Sequence, residues 1–211
     1  MGTCRLLALL AASLGAACTV VPEVPAAAVK PVSARTDEAA QFAASARTAS
    51  SSGNFTAAAK GYEDYLAALA KDKDRDPADY ANGLTQLAGC YYRLRHLPKA
   101  IHCYREALAC ETVRLGPDHE DVTGLWSILA SVELRQGNAP EAERIQRKLL
   151  ATEYRLHTRG RREAATILTN LAEALEAQGR EAEATQCHQE AKDIRHTDAK
   201  RNGHEAENPA G

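Results

Sequence analysis

The chain has 211 residues, 45% of them apolar but only 5% aromatic, and a formal net charge of -2. That is enough for one ordinary domain with appendages, and an apolar fraction dominated by Ala suits close-packed helices better than sheets. So small a charge, with no basic stripe, argues against a nucleic-acid partner.

At the amino end, Arg5 precedes the apolar run "LLALLAASLGAA", and Cys18 follows it. A positive start, a short apolar stretch and small residues at its end make residues 1–17 a secretory signal peptide. The run is shorter than the roughly 20 apolar residues needed to span a bilayer. Its end, "LGAAC", resembles the bacterial lipobox, in which cleavage exposes a Cys that is then lipid-modified. The resemblance implies Cys18 as a lipidation site and a membrane-anchored protein of the bacterial envelope, facing the periplasm. One position departs from that pattern: Gly15 stands where Leu is preferred, and Leu14 lies one place earlier. Ordinary cleavage after Ala17 is the alternative, giving a secreted or periplasmic soluble protein. "MGTCRL" fails as a myristoylation signal because Leu6 stands where Ser or Thr is required.

Residues 18–36, with "TVVPEVPAAAVKPVSART", are rich in Pro, Ala and Val and lack helical periodicity; they read as an extended tether. The body, residues 37–196, is governed by internal repetition. Leu87, Leu129 and Leu171 recur at an interval of 42, as do Ala88, Ala130 and Ala172, and Ala100, Ala142 and Ala184. The same step back reaches Phe42, Ala46 and Ala58, so a weaker first copy begins near Asp37.

Each copy reads as two helices. Leu84, Leu87, Ala88 and Tyr91 follow the i, i+3, i+4, i+7 pattern of a buried stripe, and Ala100, Tyr104 and Ala107 share a face of the next helix. Gly53, Gly137 and Gly179 stand between the two, where a positive φ ends the first helix. Arg95 holds that place in the second copy, so its turn is expected to be strained or built differently. Asn54 and Asn138 are candidate N-caps, with Glu141 completing a capping-box pattern in "NAPE". The tail, 197–211, is polar with late Gly and Pro, and is expected to be disordered. The final second helix, "EAEATQCHQEAKDIR", is more polar than its predecessor, as a terminal copy requires.

The columns of Leu84, Leu87, Ala88, Tyr91, Ala100, Tyr104 and Ala107 resemble the tetratricopeptide repeat signature. The period of 42, with "RLGPDHEDV" at 114–122 and "LTNLAEALEAQGR" at 168–180, resembles the kinesin light chain subtype. The resemblance implies an all-α, right-handed superhelical solenoid of about four antiparallel helix pairs, with first helices lining a concave groove. Carried onto this chain, groove positions are Asn82, Thr85, Gly89, Tyr92 and Arg93 in one copy. Ser127, Ser131, Leu134 and Arg135 follow in the next, then Thr166, Thr169, Glu173 and Glu176. Asn170 matches an Asn that helps hold an extended peptide by its backbone in that family. An amide side chain offers donor and acceptor to such a backbone; Gln86 could do the same, Ile128 could not. "LGPDH" occurs once, whereas the equivalent joints read "KDRDP" at 73–77 and "HTRGR" at 157–161.

Chemistry-bearing constellations are missing. His102 and Glu106 are i, i+4, and Cys187 adjoins His188, but no compact metal-ligand set forms and no metal or cofactor is expected. There is no nucleophile elbow or phosphate loop, so the chain reads as a non-enzyme without a small-molecule substrate. Cys90, Cys103, Cys110 and Cys187 read as small buried hydrophobes, with a Cys90–Cys103 bridge open in an oxidising compartment. The expected function is a protein-interaction scaffold holding a peptide or protein segment in its groove. The alternative is an assembly factor for an envelope machine that uses its convex face or end helices.

Overall fold

The computed structural model describes residues 32–73, 75–156 and 162–207; the signal-like segment, Cys18, most of the tether and the "HTRGR" joint lie outside the described residues. Among the described residues eight helices follow one another: α1 (Val32–Ser51), α2 (Phe55–Ala70), α3 (Pro77–Arg93), α4 (Leu97–Leu115), α5 (Glu120–Arg135), α6 (Ala139–Leu156), α7 (Arg162–Glu176) and α8 (Glu181–Glu207). No strand occurs among the described residues. Each helix packs on the next in the chain, and α5 also touches α7. The 42-residue copies are therefore four stacked helix pairs, the all-α solenoid expected from the periodicity. α1 starts at Val32, within the segment assigned to the tether. α8 runs past His196 to Glu207, into the segment expected to be a disordered tail.

The turn inside each pair is the same device four times. Asn54, His96, Asn138 and Arg180 donate their N–H to the carbonyls of Ala49, Tyr91, Glu133 and Leu175, and the preceding residue donates to the next carbonyl along. This is the Schellman pattern, and it needs a left-handed residue at its centre. Gly53, Gly137 and Gly179 supply φ of 81°, 90° and 73°. Arg95 adopts 63° and makes the same two bonds, so that turn is strained rather than differently built. A side chain in that region costs roughly 1–2 kcal/mol, set against the extra chain entropy a glycine loses on folding. Arg95→Gly is expected to raise the unfolding free energy in urea by about 1 kcal/mol; an unchanged or lower value would show that the turn carries no strain.

Local signals begin the helices. Asn54 accepts from the Ala57 N–H at 3.1 Å, and Asp76, ahead of Pro77, accepts from Ala78 at 2.8 Å. Asn138 does not cap in that way. Its Nδ2 donates to Glu133 at 2.9 Å, while Glu141 turns to Arg144, so the expected capping box is replaced by side-chain pairs. The stronger electrostatic partner wins: each of those bonds joins a carboxylate to a donor side chain.

One apolar cluster runs from Ala46 on α1 through Leu84, Leu87, Tyr104 and Leu129 to Leu149 on α6. Small residues let the backbones approach. Ala88 and Ala100 are fully buried, and a Cβ placed on Gly61 would stand 2.8 Å from that of Ala46. Polar bonds sit across the joints between pairs. Tyr91 donates to Glu63, and the buried carboxylate of Glu133 accepts from Arg105 at 2.6 Å. Tyr91 belongs to this cluster, and the half-buried Trp126 packs against it.

The last pair differs. Its core forms two small clusters, one around Leu168 and Ile194 and one around Leu171 and Leu175, with Leu150 of α6 against both. Much of its attachment to α6 is charged. Glu143 accepts from Arg147 at 2.8 Å, Gln178 at 2.8 Å and Arg180 at 2.6 Å. Burial pushes the Glu143 carboxyl up, but hydrogen bonds from Gln178, Arg147 and Arg180 outweigh it and bring it down to about 2. A carboxyl depressed on folding stabilises above its unfolded value, near 4.5, and that stability is lost as pH falls towards 2. Between those values the native state is expected to lose on the order of 2 kcal/mol from this group. Glu143→Gln should remove that part of the acid sensitivity in pH-dependent denaturation; an unaltered acid profile would contradict it.

Candidate functional site

A helix whose one stripe is buried leaves its other columns to solvent, and residues three and four apart share each column's face. On α3, Leu84, Leu87, Ala88 and Tyr91 are buried, Asn82 and Arg93 are exposed, and Thr85, Gly89 and Tyr92 are half-buried. On α5 the same columns leave Ser131 and Arg135 exposed and Ser127 and Leu134 half-buried. On α7, Thr166, Glu173 and Glu176 are exposed while Thr169 and Asn170 are half-buried. The residues selected by the repeat pattern thus all reach solvent, and successive copies line them up.

Two of them are held by stacking across the joint between pairs. The Arg93 guanidinium carbon lies 4.8 Å from the centre of the Phe55 ring, and that of Arg135 lies 5.3 Å from the centre of the Tyr92 ring. Each ring comes from the preceding helix or pair, so the contact both orients the arginine and joins neighbouring copies. Neither arginine has an ion pair among the described residues. A guanidinium laid on an aromatic face keeps its edge N–H groups free for a carboxylate or a carbonyl. Phe55 was not among the expected site residues; its place directly after the Asn54 cap is the only signal it carried.

In the last copy some of these groups are already engaged. Thr169 donates to the Ala165 carbonyl at 2.9 Å and accepts from Arg195 at 2.8 Å. Glu176 lies 3.1 Å from the His188 ring nitrogen. The Asn170 side chain has no hydrogen-bond partner among the described residues, as is also true of that of Asn82 on α3.

Between α3 and α5 lies a cleft of about 460 Å³. Asn82 and Thr85 line its α3 side, and Gly124, Leu125 and Ile128 line it from α5. Glu111, near the end of α4, and Glu120 and Asp121, opening α5, bring carboxylates to it. Of these residues only Asn82 and Thr85 were expected at a site. The others come from two elements, α4 and α5, in two successive copies, so no single stretch of sequence carries them.

The remaining reactive groups are placed otherwise. Cys90 and Cys103 are free and buried, and no bridge joins them. Burial pushes both thiols up, Cys103 to about 11, which disfavours the reactive thiolate. His102 and Glu106 face each other at 3.6 Å on an exposed surface. Cys187 is half-buried against the last core, while its neighbour His188 turns to Glu176. No group of three or more His, Cys, Asp or Glu placed to hold a metal occurs among the described residues. No helix among them is long and apolar enough to cross a membrane.

Residues 121–196, the last two pairs, match the tetratricopeptide repeat family model. The fold is similar to that of a putative kinesin light chain with nearly identical TPR-like repeats from Podosopora anserina: TM-score 0.67 and 19% identity, over 74% of this chain and 74% of that one. A point variant of the same protein gives 0.68 and 18%, over 77% and 76%. MamA gives 0.58 and 15%, over 80% of this chain and 84% of its own. No curated protein sequence matches significantly. The body is thus a tetratricopeptide-type solenoid.

Proposed function

We propose that the chain is a non-enzymatic interaction scaffold whose first helices hold an extended peptide or protein segment in a concave groove. One observation carries this reading. Along α3, α5 and α7, polar columns reach solvent in register while their neighbouring columns are buried, and Asn82, Asn170, Arg93 and Arg135 keep unspent hydrogen-bonding capacity. An extended segment brings unpaired amides to such a row, and stacked arginines would anchor its acidic groups. Binding alone is the mechanism. Four pairs make a short groove, consistent with micromolar affinity.

Lipidation of Cys18 would tether this scaffold to the bacterial envelope and raise its effective concentration towards partners held on the same membrane. What supports this is the amino-terminal sequence, a short apolar run closed by "LGAAC".

The groove is tested by panning a phage-displayed library of random peptides on the full chain and on an Arg93→Ala, Arg135→Ala, Asn170→Ala triple variant. The native chain should retain a defined set of peptides that the triple variant loses while keeping its helical circular-dichroism spectrum. Retention of the same set by both would end the groove reading. For the anchor, mass spectrometry of the mature terminus from a bacterial host should find diacylglyceryl on Cys18. An unmodified terminal residue would remove the membrane tether and leave the groove proposal standing.

A further inference from the structure

We propose that the α3–α5 cleft seats a lysine or arginine side chain of the segment bound along the first helices; this rests on the groove reading above. The cleft offers about 460 Å³, more than one long side chain fills, and its lining has two chemistries. Leu125 and Ile128 provide apolar surface, and Ile128 is 42% exposed, one of few large hydrophobic residues so placed among the described ones. Glu111, Glu120 and Asp121 provide negative charge. A Lys or Arg side chain matches both halves, with an aliphatic stem for the leucine and isoleucine and a cationic head for the carboxylates. An acidic side chain would be repelled, and a purely apolar one would leave the carboxylates facing it.

The negative charge is only partly spent within the protein. Glu111 is 8% exposed and accepts from Arg114 at 3.0 and 2.6 Å. Among the described residues, Asp121's one ion pair is with the exposed His119 ring, at 3.5 Å. Glu120 has no ion pair among the described residues. Acidic residues also suit the start of α5 because they complement the helix dipole. That explains Glu120 and Asp121 but none of the rest.

Gly124 is the independent observation. It sits inside α5, where glycine costs roughly 1 kcal/mol relative to alanine. Its φ is not in the left-handed region, and a Cβ added there would meet nothing within 4 Å. Neither backbone geometry nor internal packing therefore calls for a glycine. What its missing side chain does is keep the cleft open, in the column that Asn82 and Thr166 occupy in neighbouring copies. Asn82, beside the cleft, then has a free amide for the backbone of the same segment.

The test pans the random-peptide library on the full chain, on Gly124→Leu and on a Glu120→Gln, Asp121→Asn double variant. Leucine favours helix more than glycine, so Gly124→Leu fills the cleft without threatening α5; a melting temperature equal to or above that of the native chain checks this. The native chain should select peptides sharing a Lys or Arg at one position. A synthetic peptide from that set should bind both variants, and its own Lys→Met or Arg→Met version should bind the native chain, about tenfold or more less tightly by fluorescence anisotropy. Peptides lost by the Arg93/Arg135/Asn170 variant but showing no basic preference, or bound equally by Gly124→Leu, would overturn this inference and leave the groove intact. If no peptide is retained by the native chain, the groove reading fails and this inference with it. Concentration-dependent self-association abolished by Gly124→Leu would assign the cleft to a second copy and overturn it as well.

Discussion

The interface between successive helix pairs is the constraint on which everything else depends. A pair of helices has two broad faces, and closing on itself buries only part of them. The rest is buried by the neighbouring pair, which is why the apolar cluster is continuous from Ala46 to Leu149 and crosses every joint on the way. Shape fixes the joints as much as apolarity. Gly83 lies so close to α2 that an added Cβ would come within 2.9 Å of Leu66 and Tyr65. At the last joint the balance moves from apolar contact towards charge. Leu150 bridges to the terminal clusters, and the Glu143, Arg147, Arg180 and Glu183 network completes the attachment.

Stacking of this kind also decides where the proposed binding would occur. Buried stripes consume two or three columns of each first helix, and the second helix consumes another. The columns left over point to the same side in every copy, so polar residues there become a row rather than a scatter. Chemistry is then added locally. Stacking on Phe55 and Tyr92 fixes Arg93 and Arg135, and the glycine at 124 leaves a recess that its neighbours in the repeat do not share. Regular architecture supplies the row, and under the proposed function departures from regularity would give it distinct subsites.

The same division explains what could be read in the sequence. Features that recur every 42 residues were legible: the helix pairs, the buried Leu and Ala columns, the glycine turns, and the anomaly at Arg95. Features that join residues from different copies were not. Tyr92 and Arg135 meet across a joint, as do Glu63 and Tyr91, and no local pattern announces either contact. The acidic side of the cleft was hidden for a related reason, since Glu111 lies on a second helix while Glu120 and Asp121 open the next first helix. Local rules also misled where a neighbouring charged side chain competed with them. Asn138 and Glu141 fit a capping box but pair with Glu133 and Arg144 instead.

Native-state hydrogen exchange tests the stacking account most directly. If each pair is stable chiefly through its neighbours, α7 and α8, joined to the rest by a thinner apolar contact, should open as a unit at lower free energy than α3 to α6. Amides of the central pairs should then exchange only at higher denaturant. A single opening energy shared by all these helices, or stronger protection in α7 and α8 than in α3 to α6, would contradict it.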